Sequence, residues 1–377
     1  MTLTLAEILQ ATAGRLANEA ELEASREKIR IERPSVLAKS GPADVAFFFS
    51  RAYEHELPSA RPGALITAEP FARGLKASGL PIWKSSAIVV CADPYLAMGI
   101  LSEKFAHHSG VSHIERRRGA KPEIHASAIV DPSAEVGESA AIGPHCVIGP
   151  GARIGAGTVL YPSCYVGAGA RIGADGAIFP RVTIYERCEI GDRARIHAGA
   201  VIGADGFGYA QEKKDGKPVR HQKIYHLGRV IIGDDVEIGA NTAVDRGTFG
   251  DTRIGSHSKL DNQVQVGHNA ELAEGVVLCG EVGLGGGTKI GRYALVLGNV
   301  GVANGVTVGD YAIVAAHTLV TRDVKPAEAV AGHPQRTLKE HMKVRAMMNR
   351  LLGEREAGRS ELRARQASNA RGEKNEP

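Results

Sequence analysis

Aromatic residues are scarce: they make up 5% of the 377-residue chain, with a single tryptophan. A core must therefore be built from aliphatic side chains and backbone rather than from rings. Cysteine is as scarce, five residues at irregular spacing without a Cys-x-x-Cys pair, which argues against a disulfide framework and a cysteine-rich zinc site. Neither sign of charge dominates. With 46 Lys plus Arg against 42 Asp plus Glu, the net charge is +4, and long-range attraction to nucleic acid is not expected. Tyr293 to Gly309 runs without a charge, but four glycines and two asparagines interrupt it, and it falls short of the roughly 20 apolar residues a bilayer span needs. No integral membrane segment is expected. Met1 to Gly14 lacks a basic region followed by an apolar run and a cleavage site, so a reducing cytoplasm is the expected location.

What the chain does have is glycine, 46 residues, well above the average usage of about 7%. It also has a period. An aliphatic residue recurs at every sixth position from Val130 to Ile202, thirteen times without a miss; the spacing resumes at Ile232, Ile238 and Val244, shifts phase once, and continues from Ile254 to Val320. Glycine often follows the aliphatic (Gly137, Gly143, Gly149), and a small residue such as Ala134, Ala140, Cys146 or Thr158 stands two positions before it. Six residues per repeat fit neither a 3.6-residue helix nor a heptad, but suit a short strand plus a corner, the flat side of a prism. With three hexads per coil, residues 18 apart stack at the inter-strand spacing of about 4.8 Å, and each coil buries its aliphatics against its neighbours. Spacing alone does not fix the handedness. Cys146, Cys164 and Cys188 occupy the small corner position, which assigns them to packing. Most of the 14 histidines sit at outward positions without ligand-like spacing, and no metal site is expected.

Function tends to collect where insertions leave such a scaffold. The first break, Gly203 to Val230, opens with Gly206-Phe207-Gly208-Tyr209, where flanking glycines allow a ring to fold over a ligand, and continues as a turn-rich surface loop with Lys213, Lys214 and Lys217 at its tip. The second, Asp245 to Gly250, inserts four residues. Counting hexads across it puts Asp245 and Arg246 one rung below Gly267 and His268, with Gly286 and then Asn304 above. Asn269, Gly287 and Gly305 form the neighbouring column, and Asp261 lies close in sequence. An imidazole at the foot of a side-chain-free strip can take a proton near neutral pH. A glycine N–H one rung away can stabilise an oxyanion, and the strip can accept an alkyl chain.

At Gly203 to Tyr209, Gly228-Arg229-Val230-Ile231-Ile232-Gly233, Asp245-Arg246-Gly247 and Asp261-Asn262-Gln263 leading to His268-Asn269, the sequence resembles the UDP-3-O-acylglucosamine N-acyltransferases of lipid A biosynthesis. The resemblance spans most of the chain. It implies a mainly β fold, a left-handed parallel β-helix of hexapeptide repeats (121–325) with a small N-terminal α/β uridine-binding domain (1–120) and a C-terminal α-helical extension (326–377). It further implies that His268 is the general base toward the glucosamine 2-amine, which attacks the thioester of a 3-hydroxyacyl acyl carrier protein, and that Gly286 supplies the oxyanion-binding N–H. Homotrimers with sites between subunits, no cofactor of the enzyme's own and no metal are also implied. Phe207, Tyr209, Asp245, Asp261 and Asn269 are the remaining candidates for substrate binding around the base.

Residues 1 to about 120 lack the hexad; Leu5 to Leu16 and Pro94 to Phe105 read as helices and Ala87 to Val90 as a strand. In the family this domain holds uracil between two aromatic rings, positions that Phe47 and Tyr53 match. The chain departs from the pattern at Ser50, where the family has asparagine, at Ala52 in place of lysine, and at Gly305 in place of a histidine. Phe47, Phe48 and Phe49 also fit a plain strand core. From Gln335 to Gln366, nine Lys or Arg against four Glu, with Leu338, Met342, Met348 and Leu352 on one face, predict a basic amphipathic helix broken at Gly353 or Gly358. Its sign suits an acidic acyl carrier protein, and equally a solvated face. Asn369 to Pro377 is expected to be disordered. The competing readings are another hexapeptide sugar acyl- or acetyltransferase, against which the separate N-terminal domain speaks, and a non-catalytic carbohydrate-binding solenoid, against which His268 beside Asp245, Asp261 and the Gly286 column speaks.

Overall fold

A computed structural model describes residues 2–22, 28–108, 121–333 and 335–353. The chain divides into two units, Met1–Glu115 and Arg116–Pro377. In the first, β1 (Arg15–Leu16), β2 (Arg33–Pro34), β3 (Asp44–Phe48), β4 (Ala64–Thr67) and β5 (Ala87–Val90) form one sheet in the order β1-β5-β4-β3-β2, parallel except at β1. The runs Ala-Leu-Ile-Thr and Ala-Ile-Val-Val are apolar on both faces because both faces are covered. Val45, Ile66 and Val89 pack against Ile8 of α1 (Leu5–Thr12) and Leu101 of α3 (Pro94–His108). Ala46, Phe48, Leu65 and Ile88 pack on the other side against Leu75 of α2 (Glu69–Ser78).

Helix α1 opens on a capping box between Thr4 and Glu7 and stops four residues short of the predicted Leu16. Ala13 takes the left-handed conformation (φ 47°), and its N–H closes on the Gln10 and Leu9 carbonyls. The chain is thereby free to pair Arg15 and Leu16 with β5.

The second unit is a parallel β-helix. Two-residue strands stack into sheets of nine, ten and twelve strands, with Val136 paired to Ile154, Ile142 to Leu160 and Ile148 to Val166, each 18 residues on. The sixth-position aliphatics fill the axis; Ile142, Ile148, Leu160, Ile178 and Ile184 are among the most deeply buried side chains. Removing one to alanine would cost about 2–5 kcal/mol. From Ser139 onward most corners hold one residue in the left-handed region, and many of these are not glycine: Ser163, Asp175 and Arg187 have φ of 64°, 55° and 60°. Their N–H groups donate to Pro144, Ala156 and Ala168 carbonyls of the coil below at 2.9, 2.8 and 3.0 Å, a bond that helps offset the backbone strain. The three corner cysteines are buried, and the thiols of Cys146 and Cys164 donate to the carbonyls of Tyr161 and Phe179 at 3.1 Å, as packing residues should.

The first insertion differs from the predicted loop. Tyr209–Lys214 and Lys217–Lys223 pair as an antiparallel hairpin. Its turn residues, Asp215 and Gly216, both have positive φ (50° and 76°), the turn an Asp-Gly pair favours. Beyond the coil a helix covers 338–353. Thr337 and Glu340 cap it reciprocally, and Met342, Met347, Met348 and Leu351 are exposed. The rest of the predicted helix, including Gly358, and the segment Asn369 to Pro377 lie outside the described residues. Among those described, no helix is long and apolar enough to cross a membrane.

Candidate active site

His268 stands at the corner that follows the strand Gln265–Val266. The pairings Val244 with Val266, Val266 with Leu284 and Leu284 with Val302 stack Arg246, His268, Gly286 and Asn304 on successive rungs. Gly286 is required by contact: a Cβ there would lie 2.7 Å from both Cε1 and Nε2 of the imidazole. Beside it, Gly287 and Gly305 face open space, with φ of 70° and 72°. The side-chain-free strip is present, and His268 stands at its foot.

The ring is oriented by its neighbours. Nδ1 lies 3.1 Å from Asn269 Oδ1 and 3.4 Å from Thr248 Oγ1. Asn269 Oδ1 also accepts the Thr248 backbone N–H at 3.0 Å, which assigns the amide oxygen to this side. Nδ1 is then the protonated nitrogen, and Nε2, facing Gly286, is free to accept. Asn269 is itself held in the left-handed region (φ 59°) with its N–H on Thr252 Oγ1 at 2.8 Å. Its side chain is thus engaged in orienting the ring, a different task from the substrate contact the sequence suggested. Thr248 escaped sequence reasoning because the inserted turn that carries it has no repeat register.

Other candidates divide. Phe207 is 88% exposed and meets Tyr209 edge to face at 5.0 Å. Gly206 next to it would place a Cβ 2.8 Å from Cβ and Cδ2 of His268, so this stretch is packed onto the ring from the first insertion. Asp245, one rung below, has its pKa pushed up by burial first, with Asp205 adding, while a hydrogen bond from Gln265 and the nearby His268 oppose. Arg246 is turned away from the imidazole. It is buried, donates from Nε to the Gly203 carbonyl at 2.6 Å and pairs with Glu186 at 2.6 Å, holding the two insertions together. Asp261 belongs to the preceding corner, where its Oδ1 accepts from the Asn262 backbone N–H at 2.7 Å. There it lines an open groove with His197, Glu237 and Lys259 that does not include His268. The Gly286 N–H is occupied: it donates to Asn304 Oδ1 at 3.1 Å. The backbone count located that side chain without revealing that it competes for the proposed oxyanion donor.

In the N-terminal unit the expected ring pair is not a stack. Phe47 packs against the α1 and α3 side of the sheet, Phe48 is core and meets Phe71 at 5.1 Å, and Tyr53 is exposed on a short helix, Arg51–Glu56. Ser50 caps that helix, accepting the Ala52 N–H at 3.3 Å. The rings that meet at the carboxyl end of β3 are Phe49 and Tyr95, 5.7 Å apart and edge to face. Among the described residues no cluster of three or more His, Cys, Asp or Glu is arranged to hold a metal ion.

Stacked hexads with a half-buried corner histidine define a hexapeptide-repeat transferase, and the family model for the bacterial transferase hexapeptide (six repeats) matches residues 145–175 and 287–322. The UDP-3-O-acylglucosamine N-acyltransferase of Bordetella pertussis is 44% identical over 257 residues, covering 68% of either chain. That of Pseudomonas aeruginosa strain UCBPP-PA14 is 44% identical over 280 residues, covering 74% of this chain and 72% of its own. Among solved structures, the UDP-N-acetylglucosamine O-acyltransferase of Moraxella catarrhalis is 29% identical over 59% of this chain and 77% of its own, with a TM-score of 0.42. This chain belongs to the UDP-3-O-acylglucosamine N-acyltransferase family. It is an acyltransferase of lipid A biosynthesis, built on a parallel β-helix of hexapeptide repeats.

Proposed function

We propose that the protein moves a 3-hydroxyacyl group from acyl carrier protein to the 2-amine of a UDP-3-O-acylglucosamine, with His268 as general base. The carrying observation is the fixed imidazole, Nδ1 held by Asn269 and Nε2 facing the side-chain-free Gly286. The amine attacks the thioester carbonyl, and Nε2 takes the proton the nitrogen loses as the C–N bond forms. The carbonyl oxygen gains charge and is stabilised by the Gly286 N–H once Asn304 Oδ1 releases it. Collapse breaks the C–S bond, and the imidazolium returns its proton to the departing thiolate. No metal and no cofactor beyond the carrier's phosphopantetheine enter this scheme.

The N-terminal unit is the expected reader of the uridine, with Phe47, Ser50 and Tyr53 the candidate contacts. The exposed helix at 338–353, with Lys339, Lys343, Arg345 and Arg350 against Glu340, suits an acidic carrier. A homotrimer working in the cytoplasm completes the reading. The experiment is mass spectrometry of products from purified protein, carrier-bound donors and the UDP-sugar, on wild type and His268→Ala. Loss of the base should cut turnover by about 10² to 10⁴-fold with the fold intact. Near-normal turnover in folded His268→Ala rejects the assignment.

A further inference from the structure

The hairpin of the first insertion returns through His226, which is 4% exposed. Neither of its ring nitrogens makes a hydrogen bond of ordinary geometry, and the Ile224 backbone lends its charged form only minor support. A buried polar side chain left this way costs stability and calls for an explanation. Its ring stands against that of His268, centroids 5.2 Å apart and planes at 66°. Both rings border Gly206: Nε2 of His226 and Cβ and Cδ2 of His268 each lie 2.8 Å from the point a Gly206 Cβ would occupy, so the Nε2 edge lines the same backbone as the base.

We infer that His226 is a positioning residue of this reaction: neutral, with its Nε2 lone pair turned toward His268, it stabilises the imidazolium that His268 becomes on taking the amine proton. The inference rests on His268 being the base. A lone pair facing a neutral ring contributes little, but facing a cation in a poorly solvated setting it contributes more, so the gain appears mainly as charge develops. His226 neither gains nor loses a proton in the cycle. Its own pKa is pushed down by burial first and then by His268, with Lys223 adding and Asp205 opposing. Asp205 and Lys223 are themselves paired at 2.8 Å. Asp245 faces His268 from the rung below.

His226→Phe keeps a ring and removes the lone pair, whereas His226→Gln keeps an acceptor. In the full-length protein, His226→Phe should lower kcat about 10-fold, leave both Michaelis constants nearly unchanged, and move the acid limb of the kcat profile to lower pH, because the imidazolium has lost its neighbour. His226→Gln should recover most of kcat. Nitrogen NMR of the wild-type histidines should find Nε2 of His226 unprotonated, a readout that needs no turnover. A wild-type rate and pH profile in folded His226→Phe would overturn the inference, as would equal losses in both variants with an unmoved profile, or an Nε2–H tautomer. If His268→Ala is inactive while His226→Phe is normal, only this inference falls; if His268→Ala retains turnover, the base assignment falls first.

Discussion

Gly286→Ala tests the base through the space around it rather than by removing it. Gly286 lies outside the left-handed region, so alanine meets no backbone strain, and loss of unfolded-state freedom would by itself stabilise by about 0.4–1 kcal/mol. Its methyl would arrive 2.7 Å from Cε1 and Nε2 of His268. Ordinary contact begins near 3.4 Å, so the ring must retreat by about 0.7 Å. Retreat pulls the ring off its anchors, because Asn269 and Thr248 hold Nδ1 and the Gly206 backbone lies against Cβ and Cδ2. A misplacement near 1 Å costs on the order of 10²-fold in rate, and the methyl also covers the reactive nitrogen. The expected result is a fall of kcat on the order of 10²-fold with oligomeric mass and melting temperature close to wild type, assayed by product mass spectrometry at saturating donor and acceptor. Folded Gly286→Ala with kcat within about threefold of wild type would refute the placement of the chemistry between Nε2 and this glycine.

Two further outcomes follow from the same corner. Asn304→Ala frees the Gly286 N–H and should keep turnover within several-fold, whereas Asn304→Asp places a carboxylate on that N–H, holds it more tightly and repels an oxyanion, lowering kcat by about 10-fold or more; equal rates in the two variants would remove Gly286 N–H from the mechanism. Asp245 has a raised folded-state pKa, so its stabilising contribution is present below the ordinary aspartate range and is lost as pH rises through the raised value; Asp245→Asn should therefore raise the melting temperature at neutral pH by roughly 1–3 °C, with the difference vanishing on acidification, and a pH-independent difference would contradict the burial argument.

The coil was legible because a single variable, the sixth-position aliphatic, decides it: register 18 follows from three hexads, and the pairs Val136 with Ile154 and Ile142 with Leu160 obey it. The same counting carried across the second insertion, where Val244 meets Val266 after 22 residues, and so located His268 beneath Gly286. Counting fixes where a backbone goes and says nothing about which way a long side chain turns. Arg246 was placed one rung from His268 and points instead to Gly203 and Glu186. Asp261 was grouped with His268 by sequence proximity, although a hexad step moves a residue to another face of the prism.

The groups that orient the base were hidden for a different reason. Thr248 and His226 lie in insertions, where no period relates position to space, and both meet His268 through chain that leaves the coil and returns. Asp215-Gly216 did carry a hairpin signal, and a hairpin brings its ends together, so the return of His226 to the neighbourhood of Gly206 and Gly208 follows from that turn. Gly208 records the consequence, since a Cβ there would stand 3.1 Å from Cε1 of His226. The two glycines around Phe207 thus have a packing origin: they let the opening of the insertion lie directly on two imidazoles. The exposure of Phe207 and its nearness to the base are then set by one constraint, because a backbone that must stay thin against His226 and His268 sends its one large side chain outward, where it is 88% exposed.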